Sequence, residues 1–376
     1  MSKKYAIFIT ALFCAFISAF LVAGAVAPDK AFSDQENRAL QQMPVPTFGE
    51  NGNFFSGEFM TDFETYTNDQ FVLRDRWIGM KSAAELAIGK QENNDVYVCK
   101  GDTLMTRFDR PDQARVDKNT EYLNKFVANA GVPVYFSLIP GQATIWADRL
   151  PAGAPNADQK AIIDGIAAKT TAQYFDTYSA LWDHKSEDIY YRTDHHWTSL
   201  GAYYGYTAFM KGLGMEPLPL SAYQKTTVSD EFYGTTFSSS GVKNIRPDSI
   251  DMYVPDPGVQ VTSWFSEQPE PGKLYDWARL EKKDKYPFFM GGNQSLAVIK
   301  NPQVQGPKIL ILRDSYTDSL VPFLTAHFSE IHLFDLRYNR NSVPQYIKNN
   351  GIDMAVMLYS VPNYVTDANF FTLRQK

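Results

Sequence analysis

The segment Lys308–Asp318, KILILRDSYTD, decides the reading of this chain. Lys308–Leu312 is a short apolar run of the kind that forms a buried strand, and a helical pattern follows at about 317–327. Between them lies the turn Arg313-Asp314-Ser315. A strand holds such a serine rigidly, the turn lifts its hydroxyl above the sheet, and a helix start aims free N–H groups at a developing oxyanion. Ser and Asp are also common helix N-caps, so this segment alone leaves both readings open.

Working outward, strands and helices alternate. A helix is expected at about 112–130, a strand at Val132–Ile139, a helix at about 158–170, a strand at Gln173–Phe175 and a helix at Thr198–Gly212. Beyond the serine come a strand at Ile331–Asp335, a helix at about 343–350 and a strand at Met354–Leu358. This order predicts an α/β domain with a mostly parallel sheet, whose chemistry gathers at the carboxyl ends of the strands. Residues at about 215–305 break the alternation and read as an irregular, partly β insertion between two halves of the sheet. Gly101-Asp102 within Asp95–Leu104 predicts a hairpin, and the aromatic spacing of residues 54–88 predicts one or two amphipathic helices.

The 376 residues carry 36 Lys and Arg against 42 Asp and Glu, which leaves no basic field for a nucleic acid. Two cysteines, Cys14 and Cys99, exclude a disulfide scaffold and a Cys-rich zinc site. Residues 1–27 read as an export address. Lys3 and Lys4 precede 23 uncharged residues, Tyr5–Ala27, enough to span a bilayer. The run exceeds the usual apolar core of a signal peptide, so an uncleaved signal anchor is expected, with cleavage as the alternative. The positive flank keeps its end in the cytoplasm and places the rest outside. Residues 28–53 then read as an extended strap and 54–376 as the folded domain.

A second chemical segment is Tyr190–Tyr206, YYRTDHHWTSLGAYYGY. A serine hydroxyl needs an imidazole to take its proton, and the imidazole needs a carboxylate to fix its tautomer. Asp194 and His196, two residues apart before a helix, are within hydrogen-bonding reach of each other. An N-capping Asp with a structural histidine pair, or a pair of metal ligands lacking an obvious third partner, remain open. Gly201 and Gly205 let the following helix approach a neighbour closely. Asp335 and Arg337 read as a structural ion pair, and His184, His327 and His332 as structural.

TDHHWTSLGAYYGY (193–206), then ILILRDSYTDSLVPFL (309–324) and HLFDLRY (332–338), together resemble the bacterial DHHW proteins. The upstream ENRAL (36–40) and ETYTNDQFVLRDRWI (64–78) fit the same pattern. That family is similar to the SGNH-like polysaccharide O-acetyltransferases of the alginate acetylation system. The resemblance implies an SGNH-hydrolase-like α/β/α sandwich and a Ser-His-Asp triad whose Asp-x-His element precedes the serine. It carries the nucleophile to Ser315, the base to His196, the orienting carboxylate to Asp194 and the variable middle position to His195. No metal or dissociable cofactor is implied. The implied partners are a polysaccharide acceptor and a multi-pass membrane acyltransferase as acetyl donor. A carbohydrate acetylesterase, or a non-catalytic polysaccharide-binding or assembly component, are the alternatives. Arg313 stands where many relatives carry Gly, which narrows the turn's options or brings a cation near the site. His195, Arg313 and Tyr316 are the candidates for substrate contact, and Asn363 for the oxyanion side chain.

Overall fold

The computed structural model describes residues 3–33, 35–49 and 52–375. They form two compact units, Met1–Lys90 with Gly241–Lys243, and Gln91–Ser240 with Asn244–Lys376.

In the first unit the helix Lys3–Val26 has 24 residues, an 18-residue stretch of mean hydropathy 2.6 and no buried residue, so it is long and apolar enough to cross a membrane. The expected amphipathic helices are Glu58–Asp69 and Arg74–Ala87, preceded by the short helix Asn53–Ser56. They group with this unit. The strap carries a short strand pair. Its Phe32–Ser33 pairs with Arg38–Ala39, and the Arg38 guanidinium grips the buried Asp69 carboxylate at 2.6 and 2.9 Å. A bidentate pair of this geometry anchors the strap to the helix Glu58–Asp69.

The second unit is built on an eight-stranded sheet. In chain order its strands are β1 (Val134–Ile139), β2 (Gln173–Tyr174), β3 (Gln260–Trp264), β4 (Glu270–Pro271), β5 (Leu296–Lys300), β6 (Lys308–Arg313), β7 (Glu330–Phe334) and β8 (Met354–Ser360). Their spatial order is β4-β3-β5-β7-β6-β8-β1-β2. The five strands from β7 to β2 are parallel, and β5, β3 and β4 extend the sheet antiparallel. The irregular insertion therefore does more than interrupt the sheet: it builds one edge of it.

Central strands in such a sheet are apolar on both faces, because both are covered. Ile309 and Ile311 of β6 pack with Tyr206, Phe209 and Met210 of helix Ser199–Gly212, whereas Leu310 and Leu312 pack with Leu123 and Phe126 of helix Gln113–Asn129 on the opposite face. From β6 the chain passes to β7 on one side and then crosses to β8 on the other. That reversal opens a crevice at the carboxyl end of β6, where ligands gather in open α/β sheets. The hairpin Val96–Cys99 to Thr103–Thr106 forms as expected, with Gly101 and Asp102 at φ 75° and 58°.

The helix expected at about 317–327 does not form. A 3₁₀ turn, Ser315–Ser319, is followed by one α-turn, Val321–Leu324. Pro322 cannot donate to a preceding carbonyl. Just before the expected helix, the carbonyls of Ser315 and Tyr316 are taken by side chains, Tyr286 Oη–H at 3.0 Å and Trp197 Nε1–H at 2.8 Å.

Candidate active site

Asp314 caps the 3₁₀ turn by accepting from the Tyr316 N–H at 3.1 Å. Its other oxygen accepts from the N–H and Oγ–H of Ser360, at the end of β8, and from Asn363 Nδ2 at 2.8 Å. The capping role thus falls to Asp314, and the half-exposed Ser315 hydroxyl is left for other work.

Tyr190–Trp197 folds back on itself through a bridge between those two residues, and Thr198 caps the next helix through the Gly201 N–H. Trp197 is fully buried against Gly205, where an added Cβ would lie 2.6 Å from the indole. The close neighbour anticipated from the glycine spacing is therefore this tryptophan. Its indole N–H reaches Tyr316 O and Ser319 Oγ at 2.8 and 3.0 Å, which ties the two motifs together.

His196 Nε2 lies 2.8 Å from Ser315 Oγ, and His196 Nδ1 lies 2.6 Å from Asp194 Oδ1. Asp194 Oδ1 also accepts the His196 backbone N–H, and Oδ2 accepts the N–H and hydroxyl of Thr235 at 2.7 and 2.9 Å. Burial opposes ionisation of this carboxyl, but the adjacent imidazoles and these donors outweigh it and hold its pKa well below the usual carboxylate range. The three residues form one hydrogen-bonded chain from hydroxyl to carboxylate.

Support that the sequence did not reveal comes from the insertion. Tyr286 stacks on the His196 ring, with centroids 3.7 Å apart and planes 6° from parallel, and its hydroxyl donates to Ser315 O. Gly234 passes so close to Asp194 that an added Cβ would lie 2.2 Å from the Asp194 Cβ. Asp248 accepts from the Thr193 N–H and hydroxyl at 2.8 and 2.6 Å and steadies the loop from below. No periodicity marks these residues; a Gly-Thr pair and a lone tyrosine are too common to single out.

Among the substrate-contact candidates, His195 and Tyr316 line a cleft of about 350 Å³ beside the serine turn, together with Gln142, Thr235 and Asn363. The Tyr316 hydroxyl is spent on the His195 carbonyl. Asn363 is at the cleft, with one amide hydrogen committed to Asp314. The Ser315 N–H opens the 3₁₀ turn and so lies outside its internal bonds, the usual place for an oxyanion donor. Asp194, His195 and His196 bring donor atoms within 4.8 Å of one another. A metal there would displace the bonds of His196 to Asp194 and Ser315, so the cluster fits hydrogen bonding better than ligation.

Arg313 is not a substrate contact. Its side chain is fully buried, with Nη1 3.0 Å from Asp318 Oδ1 and no well-aligned acceptor for its nitrogens among the described residues. Burial pushes the Asp318 carboxyl up to about 7 despite the guanidinium beside it. The attraction therefore does not offset desolvation. Because this pKa is raised above the ordinary value of about 4, the group's contribution to stability is complete below about pH 4 and is lost as pH rises through about 7. Replacing the pair by Arg313→Met with Asp318→Leu should leave stability unchanged or raise it by about 1–4 kcal/mol. Urea unfolding at pH 5 and pH 8 measures this, and the variant should lose the pH slope. A large destabilisation would show that the pair holds the turn.

The residues read as structural each have a side-chain partner. Arg337 pairs with Asp335 at 2.7 Å, His184 with Glu187 at 2.7 Å, His327 with the Tyr206 hydroxyl at 2.6 Å and His332 with the Tyr346 hydroxyl at 2.8 Å.

A family model described as "DHHW protein" matches residues 127–334, more than half of the chain. Among solved structures, the chain is similar to a DHHW family protein from Eubacterium siraeum, at 29% identity and TM-score 0.65 over 75% of this chain and 96% of that one. It is also similar to PatB1 of Bacillus cereus with a sulfonyl adduct, at 21% identity and TM-score 0.60 over 73% and 96%. No curated protein sequence matches.

Proposed function

The chain belongs to the DHHW family, and from that premise we propose that it is an extracytoplasmic O-acyltransferase, with an SGNH-like fold, that moves an acetyl group onto a polysaccharide hydroxyl. The observation that carries the reading is the unbroken chain Ser315–His196–Asp194 beside a cleft that His195, Tyr316 and Asn363 help to line. The motif resemblance to the polysaccharide O-acetyltransferases supplies the substrate class, and the helix Lys3–Val26 the membrane anchor. A multi-pass membrane acyltransferase is the proposed source of acetyl.

His196 Nε2 takes the Ser315 proton as Oγ bonds to the donor's carbonyl carbon. The Ser315 N–H receives the resulting oxyanion. The leaving group departs with the proton from His196 and an acetyl-serine remains. A sugar hydroxyl then gives its proton to His196 and attacks the acetyl carbon. As the Oγ–C bond breaks, Oγ regains the proton.

The test is an aryl acetate donor with oligosaccharide acceptors, read by aryl alcohol release and by mass spectrometry of the sugars. Ser315-dependent release with acetylated sugar is expected. Release without sugar acetylation would make the protein an esterase. No release, and no labelling by a fluorophosphonate, would leave it a non-catalytic binding component.

A further inference from the structure

We propose that His195 is a fixed hydrogen-bond acceptor that seats a neutral sugar hydroxyl in the cleft and so selects the acyl acceptor. The proposal rests on the acyltransferase reading and adds the residue that sorts sugar from water.

The proton positions follow from two contacts. Thr235 Oγ1 lies 2.9 Å from Asp194 Oδ2 and 2.6 Å from His195 Nδ1. Asp194 is ionised and can only accept, so the single Thr235 hydroxyl hydrogen points at it; otherwise two oxygen lone pairs would face each other. Thr235 Oγ1 is then an acceptor toward His195, and the hydrogen between them sits on Nδ1. A neutral imidazole protonated at Nδ1 presents a lone pair at Nε2. The chain that orders the catalytic carboxylate thus also fixes the tautomer of the neighbouring histidine.

His195 Nε2 has no partner among the described residues, and the side chain is 40% exposed on the cleft wall. The ring lies against His196, with centroids 3.9 Å apart. Its half-buried setting, and next the adjacent imidazole, push its pKa down to about 4. A base that weak holds a hydroxyl without removing its proton. A neutral lone pair attracts a hydroxyl and repels a carboxylate, so this position suits a neutral sugar unit and not a uronate carboxylate.

The experiment has two readouts, using wild type, His195→Phe and His195→Gln. Phe keeps the ring volume without the acceptor, and Gln returns a carbonyl near the place of Nε2. The first readout is calorimetric binding of cellotetraose and of tetragalacturonate to each protein in the Ser315→Ala background, which needs no turnover. The second is the ratio of acetyl passed to cellotetraose over acetyl lost to water, which does not depend on how fast Ser315 is acylated. For loss of one hydrogen bond, His195→Phe should weaken cellotetraose binding and lower the ratio by about 3- to 10-fold, with partial recovery in His195→Gln. Unchanged binding and ratio in His195→Phe, failure of wild type to bind cellotetraose at millimolar concentration, or tighter binding of tetragalacturonate would overturn the proposal. Weakened binding without Ser315-dependent turnover in wild type would uphold this subsite and defeat the acyltransferase reading.

Discussion

Ser315→Ala and His196→Ala should each lower kcat for aryl acetate turnover by roughly 10⁶-fold, and the double variant should be no worse than either single one. The reason is the geometry of the pair. At 2.8 Å the imidazole can take the hydroxyl proton only while both members are present, so removing one disables the other. Fluorophosphonate labelling should vanish in Ser315→Ala and fall steeply in His196→Ala. The fold should survive the serine change, because the Ser315 hydroxyl is half-exposed and the turn is held by Asp314, Trp197 and Tyr286. Thermal midpoints measured beside the kinetics separate lost chemistry from lost structure. Labelling that persists in Ser315→Ala would assign the nucleophile elsewhere.

Asp194→Asn is the second large effect, an expected fall in kcat of roughly 10⁴-fold, the size typical of an imidazole turned to the wrong tautomer. Both carboxylate oxygens accept from a backbone N–H, of His196 on one side and Thr235 on the other. Either orientation of the new amide therefore sets its NH₂ against one of these donors. With the NH₂ toward His196, the ring's hydrogen moves to Nε2, where it points at Ser315 and cannot receive a proton. The opposing donors should also cost about 1–3 kcal/mol of stability. Nitrogen-15 shifts of His196 report the tautomer directly, and a native tautomer combined with full activity would defeat the argument. The wild-type carboxyl has a depressed pKa, so its stabilisation is present above the ordinary carboxylate value and is lost as pH falls. The Asn variant should lack that acid-side slope.

The central strands and the flanking helices were legible because covered strands are continuously apolar and helices repeat at their own period. Ile309–Leu312 and the face of Gln113–Asn129 are examples. Short linear motifs also brought Asp194, His196 and Ser315 into view, since each is flanked by the turn and cap residues that its position needs. The boundaries were harder to read. Around residue 320 a helical pattern met Pro322, and a 3₁₀ turn and one α-turn stand where a helix was expected.

By itself the sequence determined an α/β sheet, an apolar N-terminal helix and three chemically matched side chains in two motifs. Tertiary structure alone decided what surrounds them. Thr235 reaches Asp194 across 41 residues and Tyr286 reaches Ser315 across 29, both from a region without periodicity. The burial of Arg313 was settled there too. Periodic patterns record which face of an element is covered, whereas hydrogen-bond partners brought in by an irregular loop depend on where the folded chain carries them, and local sequence holds no record of that.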